Sequence, residues 1–433
     1  MISELTGIDT STPAVVLKFD PNVMHHGALG AIRSLGRRGV PVYAVVERPW
    51  APAARSRYLA GRLAWRPDPD QAERTRAGLN RLAERIGRPA VLIPTDDAGA
   101  IFLAEQGDSL RDRFLFPAQP PALPRQLAGK HTLAQLCAEL GVATAAVLLT
   151  DSAEKGRSFA AEVGYPLIAK LATPWTAAVA GLRPTSVIRS EQDLAGAWTA
   201  AERAGASLML QEFIPAQPGG DWFVHAYGDA NCASRPLFTG VKIRSYPAHA
   251  GLTSFGLAEA NQPLRDEITR LFVRLGYRGI ADLDLRQDPR DGSYKLLDFN
   301  PRLGAQFRLF RDWAGLDMVT AAYLDLTGQQ FAVRGQVSGR RFLVENYDPL
   351  GALGYWRAGE LGPVSWLRSL YGAEETAWFA WDDLLPFGLM CVRMAARAGH
   401  LFARAPGRRP AGARRPTEPA VRLARSLPKE ETS

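Results

Sequence analysis

Two stretches of the chain carry oxygen-bearing side chains at alternate positions. GIADLDLRQ (Gly279–Gln287) has Asp282 and Asp284 around Leu283, and YKLLDFNPR (Tyr294–Arg302) has Asp298 and Asn300 around Phe299. Alternate residues of a strand share a face, so each stretch would show oxygens on one side and apolar groups on the other. Between them lies DPRDGS, whose Asp291-Gly292 pair is turn chemistry. A hairpin centred on Asp291 sets Asp284 across from Asp298 and Asp282 across from Asn300. Leu283, Leu285, Leu297 and Phe299 would cover the opposite face. Facing carboxylates destabilise a hairpin unless something compensates them. A hard divalent cation does so, and Mg²⁺ takes such oxygens while keeping positions for water or phosphate. A solvated polar face is the alternative, and a one-residue slip in register would abolish the arrangement. Asn-Pro-Arg at the strand end brings a turn and the Arg302 cation to the same place.

Cations suited to an anionic substrate occur upstream. Lys130 stands before the helix pattern KHTLAQLCAEL, and Lys170 closes the apolar strand YPLIAK. A lysine ending a buried strand is costly to desolvate unless an anion waits there. Lys242 and Arg244 lie two apart in TGVKIRSYP. In a strand they would share a face and could stabilise a transferring phosphoryl group. A solvated basic strand is the other reading of Lys242.

The elements that must position these groups follow a recognisable order. AVVLKF (Ala14–Phe19) reads as a buried strand, GALGAIRSLGRRG as a helix ending near Gly39, and VPVYAVVE (Val40–Glu47) as a second strand. A helix over 70–86 and the strand AVLIP (Ala90–Pro94) continue a βαβ alternation with a parallel sheet. Thr95 to Asp97 can start the next helix, and such strand ends, with His25 and His26, are where doubly wound sheets bind ligands. For the two histidines, a plain helix start fits equally well. FPAQPPALP (Phe116–Pro124) reads as a linker. SLMLQEFI (Ser207–Ile214) is a further strand, closed by PAQPGGD.

LLDFNPR resembles the acidic-x-Asn-Pro-Arg motif of the ATP-grasp superfamily, and Gly279–Gly304 resembles its metal-binding hairpin. The resemblance runs from about Phe19 to Thr327. It implies an α/β and α+β fold, with an N-terminal doubly wound parallel-sheet domain followed by a two-lobed ATP-grasp domain. The expected boundaries are 1–120, 121–330, an aromatic-rich extension over 331–403 and a disordered basic tail over 404–433. By matching motif positions, Asp284, Asp298 and Asn300 would hold Mg²⁺ (or Mn²⁺) on ATP, with Asp282 an extra acid of open role. Lys130 and Lys170 would contact the phosphates. Gln211 and the main chain of Glu212, Phe213 and Ile214 would clasp the adenine, and Asp221 would take the ribose hydroxyls. Arg302, Arg244 and Lys242 would act on the phosphoryl group or the acceptor carboxylate. The loop after Lys170, LATPWTAAVAGLRPTS, has only Gly181 where the family often carries a glycine-rich flap.

The implied activity is that of a carboxylate–amine ligase, of the D-aspartate ligase or natural-product amide ligase kind. It would join a small-molecule acid to an amine (an amino acid or peptide precursor) through an acyl phosphate. A grasp-fold kinase and a non-catalytic nucleotide-binding protein are the alternatives. No Ser/His/Asp or Cys/His constellation competes with this chemistry.

Composition agrees with an ordinary globular chain: 433 residues, 46% apolar and 22% charged. Three widely spaced cysteines fit neither a disulfide framework nor a zinc site. With no signal-peptide pattern, the expected location is the cytoplasm. Net charge is +8, with arginines concentrated after His400; this reads as a solvated end, and no nucleic-acid partner is expected. Arg393, Arg397, His400 and Arg404 recur at helical spacing beside Leu389, Met394, Ala398 and Phe402. This basic amphipathic helix could touch the anionic inner membrane face, or pack on its own domain.

Overall fold

Buried Ala, Val and Leu runs build the first sheet. The computed structural model describes residues 7–171, 185–203, 205, 207–249 and 251–404. Strand β1 (Ala14–Leu17) is buried throughout and pairs in parallel with β2 (Val42–Val46) on one side and β4 (Ala90–Pro94) on the other. β3 (Leu59–Ala64) and β5 (Phe114–Leu115) complete the order β3-β2-β1-β4-β5, all parallel. β3 has no counterpart in the sequence reading. Its LAGRLA run is poor in β-branched residues, and only a half-buried alternation marks it. Helices α1 (His26–Gly36), α2 (Ala72–Ile86) and α3 (Asp97–Gln106) connect the strands. The doubly wound parallel sheet expected at the N-terminus is therefore present.

Asp96 fixes the geometry at the strand ends. Its Oδ1 caps α3 by accepting from Gly99 N (2.8 Å), while Oδ2 accepts from Phe19 N (2.6 Å) and Asp20 N (2.8 Å). One carboxylate thus ties the loop after β1 to the start of α3 and sets the position of Asp97.

The stretch read as a linker is only partly one. Its last residues enter α4 (Leu123–Ala128), with Pro124 in the first turn, where a missing N–H costs nothing, and with Leu123 and Leu127 buried. α5 (Lys130–Glu139) follows after Gly129.

The next sheet is small and antiparallel. β6 (Val147–Thr150), β7 (Leu167–Leu171), β8 (Thr185–Ile188) and β9 (Leu208–Glu212) run in the order β6-β9-β7-β8. Helix α6 (Ala153–Val163) and the helix Glu191–Arg203 cover it through Ala160, Leu194 and Trp198. The glycine-poor loop after Lys170 lies mostly outside the described residues, as does the basic tail beyond residue 404.

The largest sheet has seven strands. β10 (Asp221–Gly228), β11 (Ser234–Tyr246), β12 (Leu252–Ala258), β13 (Gly279–Gln287), β14 (Tyr294–Asn300), β15 (Arg341–Leu343) and β16 (Glu375–Thr376) run in the order β14-β13-β10-β11-β12-β15-β16. One face is dry. Leu283, Leu285, Leu296 and Phe299 pack with Val224 and Ala226 against Leu264, Ile268, Leu271 and Phe272 of the helix Gln262–Leu275. Two lobes, one small sheet and one large, are the arrangement that the resemblance implied.

Segments after residue 330 join this framework. β15 and β16 extend the large sheet, and the fully buried Arg33 of α1 donates to Asp383 Oδ2 (2.9 Å) and to the Trp378 carbonyl (2.8 Å). Residues through Val392 form one compact unit and those from Arg393 a second, the boundary falling inside the helix Leu384–Arg404. No helix among the described residues is long and apolar enough to cross a membrane.

Candidate active site

The hairpin has the register inferred from its turn. Asp284 pairs with Asp298 and Asp282 with Asn300. A bulge follows, so that Leu285 pairs with Leu296 rather than Leu297. The extra residue shifts the alternation, and Leu296, not Leu297, enters the core. That corrects the expected apolar set by one residue and leaves the oxygen-bearing face intact.

Cations from other elements meet these oxygens. Lys242 on β11 places Nζ 2.8 Å from Asp284 Oδ2, and Lys130 at the start of α5 places Nζ 3.0 Å from Asp298 Oδ2. Arg302, just past the turn at Pro301, sets Nη1 2.7 Å from Asp282 Oδ2 and Nε 3.4 Å from Asp97 Oδ1. Asn300 Nδ2 donates to the Asp282 carbonyl (3.1 Å). Burial, against the pull of Lys242, and then the charges of Asp282 and Asp298 lift the Asp284 carboxyl above its ordinary value. Burial disfavours the Lys242 ammonium, but Asp284 and its acidic neighbours outweigh that and raise it. Both shifts express one fact: the face carries more negative charge than its lysines neutralise.

Lys170 on β7 reaches the same neighbourhood. Its Nζ donates to Gln211 Oε1 (3.3 Å), and burial followed by repulsion from Lys130 lowers the ammonium to about 8, with Asp298 opposing. Two lysines from different elements therefore stand close enough to feel each other beside Asp298. An anion would relieve that repulsion.

Other expected residues have partners of their own. Asp221 is clasped by Arg286 in two contacts of 2.6 and 3.1 Å. Glu212 Oε1 accepts from Arg290 (2.5 Å), its Oε2 accepts from Ala146 N (3.1 Å), and its own N–H donates to the Ala146 carbonyl (2.8 Å). The Ile214 carbonyl accepts from Arg286 Nη1 (3.0 Å), and Phe213 follows β9 directly.

Arg244 does not share the face of Lys242 in the regular way expected. The β11–β12 register shifts on both sides of it, and a bulge breaks the alternation that the sharing required. Its guanidinium, 4% exposed, pairs with Asp348 at 2.8 and 2.9 Å, donates to Ser369 and lies over the Phe255 ring. None of these partners belongs to the acidic face.

One group at the site escaped sequence reading, and a second was read without its partner. His225 on β10 stands across from Asp282, its Nε2 3.3 Å from Oδ1, and burial pushes its imidazole down to about 4. Only the β10–β13 pairing reveals this contact; nothing in the FVHAYG context does. Asp97 was recognised as a helix start, but its contact with Arg302 joins chain segments far apart. His26, by contrast, packs among Phe342 and Trp378 inside the protein.

The donor set suits a hard cation shared with a substrate. Asp284, Asp298 and Asn300 are oxygen donors on one face, as Mg²⁺ requires. Among the described residues, no three acidic, histidine or cysteine groups gather into a self-sufficient metal cage. Oxygens from elsewhere must complete such a site, and phosphate is the natural source.

The comparisons with known proteins bear on the fold. No protein-family profile matches the chain. Over 101 residues it is 28% identical to a D-aspartate ligase of Enterococcus faecium (strain Aus0004); the match covers 23% of this chain and 24% of that ligase. The matched stretch thus spans about a quarter of the curated relative. N5-carboxyaminoimidazole synthetase from Staphylococcus aureus superposes with a TM-score of 0.56 at 11% identity, covering 78% of this chain and 83% of the other. The biotin carboxylase domain of Hydrogenobacter thermophilus 2-oxoglutarate carboxylase, crystallised with ADP and its magnesium salt, gives 0.55 at 17% identity over 76% and 73%.

The chain has the ATP-grasp fold. Its small sheet carries Lys170 and Gln211, its large sheet carries Lys242 and the hairpin, and the parallel sheet with Asp97 stands beside the large lobe of the grasp.

Proposed function

We propose that this ATP-grasp protein is an ATP-dependent carboxylate–amine ligase, which activates an acid as its acyl phosphate, joins it to an amine and releases ADP and phosphate. The observation that carries the reading is the pairing of Asp284 with Asp298, flanked by Lys130, Lys170 and Lys242. Mg²⁺, or Mn²⁺ in its place, would be held by Asp284, Asp298 and Asn300 and would supply charge neutralisation on the phosphates.

The protein's own groups supply position and field. Lys130 and Lys170 would exchange their present partners, Asp298 and Gln211, for phosphate oxygens. Gln211 to Ile214 would face the adenine, and Asp221 would reach the ribose on loosening from Arg286. Lys242 and Arg302 would stabilise the oxygens of the transferring group, while Arg244 keeps Asp348 and its segment in place. A cleft lined by Phe19, Asp20, Arg66, Asp68, Asp96 and Asp97 opens at the ends of the parallel strands. Its carboxylates complement a cationic amine, and Asp97 hands that cleft over to Arg302.

The test is Mg²⁺-dependent phosphate release from ATP, with amino acids and small peptides offered as acid–amine pairs. Release that requires both members of a pair and vanishes in Asp298→Ala supports the ligase. ADP formation with no free phosphate would identify a kinase instead, and tight Mg·ATP binding with no turnover on any pair would favour a non-catalytic protein.

A further inference from the structure

Asp282 has no place in the ligand set above, yet it is 7% exposed on the same face. Both of its oxygens are engaged by side chains distant in sequence: Oδ2 by Arg302 Nη1 at 2.7 Å, Oδ1 by His225 Nε2 at 3.3 Å. His225 is fully buried, and neither ring nitrogen has a hydrogen-bond partner among the described residues apart from this approach. Phe223 and Phe310 pack on the imidazole at 5.9 and 5.1 Å and hold it against the carboxylate. The fourth wall is Gly304, where any Cβ would collide with His225 Cε1 and fall 2.7 Å from Asp282 Cγ. Arg302 is gripped on its other side by Asp97, 3.4 Å from Nε.

We infer that Asp282 is a positioning residue: backed by His225 and fitted against Gly304, it aims the Arg302 guanidinium at the reacting group. The assignment rests on the ligase reading for what Arg302 does, and on geometry alone for what holds it. A long arginine placed beside metal-bound phosphate has many rotamers and strong attraction to the phosphates themselves. Two carboxylates, one on the large sheet and one at the start of α3 beside the parallel sheet, fix it in one, and the aim of a preorganised charge governs its effect on the transition state. Asp282 would thereby act without touching metal, nucleotide or substrate.

The test is a double-mutant cycle on phosphate release, run beside Mg·ATP titrations. Asp282→Asn should lower kcat by about 100-fold, the cost of a misplaced catalytic group, with Mg·ATP affinity held within about threefold. In an Arg302→Ala background the same change should cost nothing further. Gly304→Ala, which displaces His225 and Asp282 while keeping the Asp282 carboxylate and the Arg302 guanidinium, should lower kcat in the same direction. A variant that fails to fold is replaced by Asp282→Glu, expected to recover part of kcat by restoring the carboxylate. A spectroscopic readout stands apart from turnover: the Arg302 Nε–H resonance, assigned through its loss in Arg302→Lys, should shift in Asp282→Asn. Multiplicative losses in the cycle, an unmoved resonance, or a tenfold loss of Mg·ATP affinity in Asp282→Asn (which would make it a metal ligand) would each overturn the inference. A wild-type protein that binds no Mg·ATP would instead sink the ligase reading, and this assignment with it.

Discussion

Asp284 and Asp298 stand opposite each other across β13 and β14, and each is met by a lysine from a different element, Lys242 at 2.8 Å and Lys130 at 3.0 Å. On the proposed reading, the site is closed on itself until phosphate and metal arrive together. Replacing either acid by Asn removes a metal donor and frees a lysine. Asp298→Asn is therefore expected to abolish nucleotide-dependent Mn²⁺ binding, followed by electron paramagnetic resonance. Binding of metal-free ATP should persist or tighten, because Lys130 is released toward the phosphates. Chelation of the metal should mimic the mutation in the wild type. Equal loss of both modes of binding would argue that Asp298 is only a structural partner of Lys130.

Lys170 gives a pH dependence of its own. Burial and the nearby Lys130 lower its ammonium to about 8 in the free protein. An anionic ligand favours the charged lysine, so binding raises that value and takes up a proton above pH 7. Nucleotide affinity should accordingly fall as pH rises through 8, by up to about tenfold per unit until the bound-state value is passed. Lys170→Arg, which stays charged throughout, should flatten the profile between pH 7 and 9. Calorimetry in buffers of different ionisation enthalpy counts the protons directly, and zero uptake would remove Lys170 from the phosphate site.

The hairpin was legible because its signals are local: a turn pair, strict alternation and a proline that ends the strand. The register followed from the turn alone, and it failed by one residue only beyond Asp284, where a bulge cannot be read from leucines on both sides. Arg244 shows the opposite case. Its sequence neighbours look like Lys242's, but two register shifts and an aspartate 104 positions away decide where it points. His225 was invisible for the same reason, since its partner lies on a strand that sequence proximity does not supply. Asp221 and Glu212 looked free because Arg286 and Arg290, which hold them, lie 65 and 78 positions further along the chain. Local periodicity places an element and its faces; which charges meet is settled by tertiary pairing.

Arg244 and Asp348 separate a structural charge from a catalytic one. Their side chains are 4% and 0% exposed, and the pair ties β11 to the helix Asp348–Arg357. Truncating one partner leaves a buried charge alone, so Asp348→Ala should destabilise the protein by about 3 kcal/mol or more in urea unfolding. Arg244→Met combined with Asp348→Leu should recover only part of that loss, because the apolar pair avoids the cost of the lone charge but leaves Trp366 Nε1 and Ser254 Oγ without their acceptor. Phosphate release by the double variant should remain near wild type when measured well below its unfolding midpoint. Full stability with abolished turnover would return Arg244 to the reaction.

Acid should unfold the protein through its buried histidines. Burial pushes His26 down to about 4, against a hydrogen bond that its ring donates to the Ala305 backbone, and pushes His225 down to about 4 as well. In the unfolded chain both return to the ordinary histidine value near 6.5. Between these values the unfolded state binds more protons than the folded state, so stability falls as pH is lowered from about 6.5 to 4 and is insensitive to these groups above that window. Each histidine should contribute a slope of up to about 1.4 kcal/mol per pH unit. His26 sits between Phe342 and Trp378, where an aromatic ring of similar size would fit. His26→Phe should therefore reduce the slope by close to one proton, and lower stability at pH 8 by about 1 kcal/mol through the lost Ala305 hydrogen bond. Urea midpoints collected from pH 4.5 to 8 would read it. An unaltered slope would mean that His26 already carries a proton in the folded state, and that the ring packing around it is looser than the structure describes.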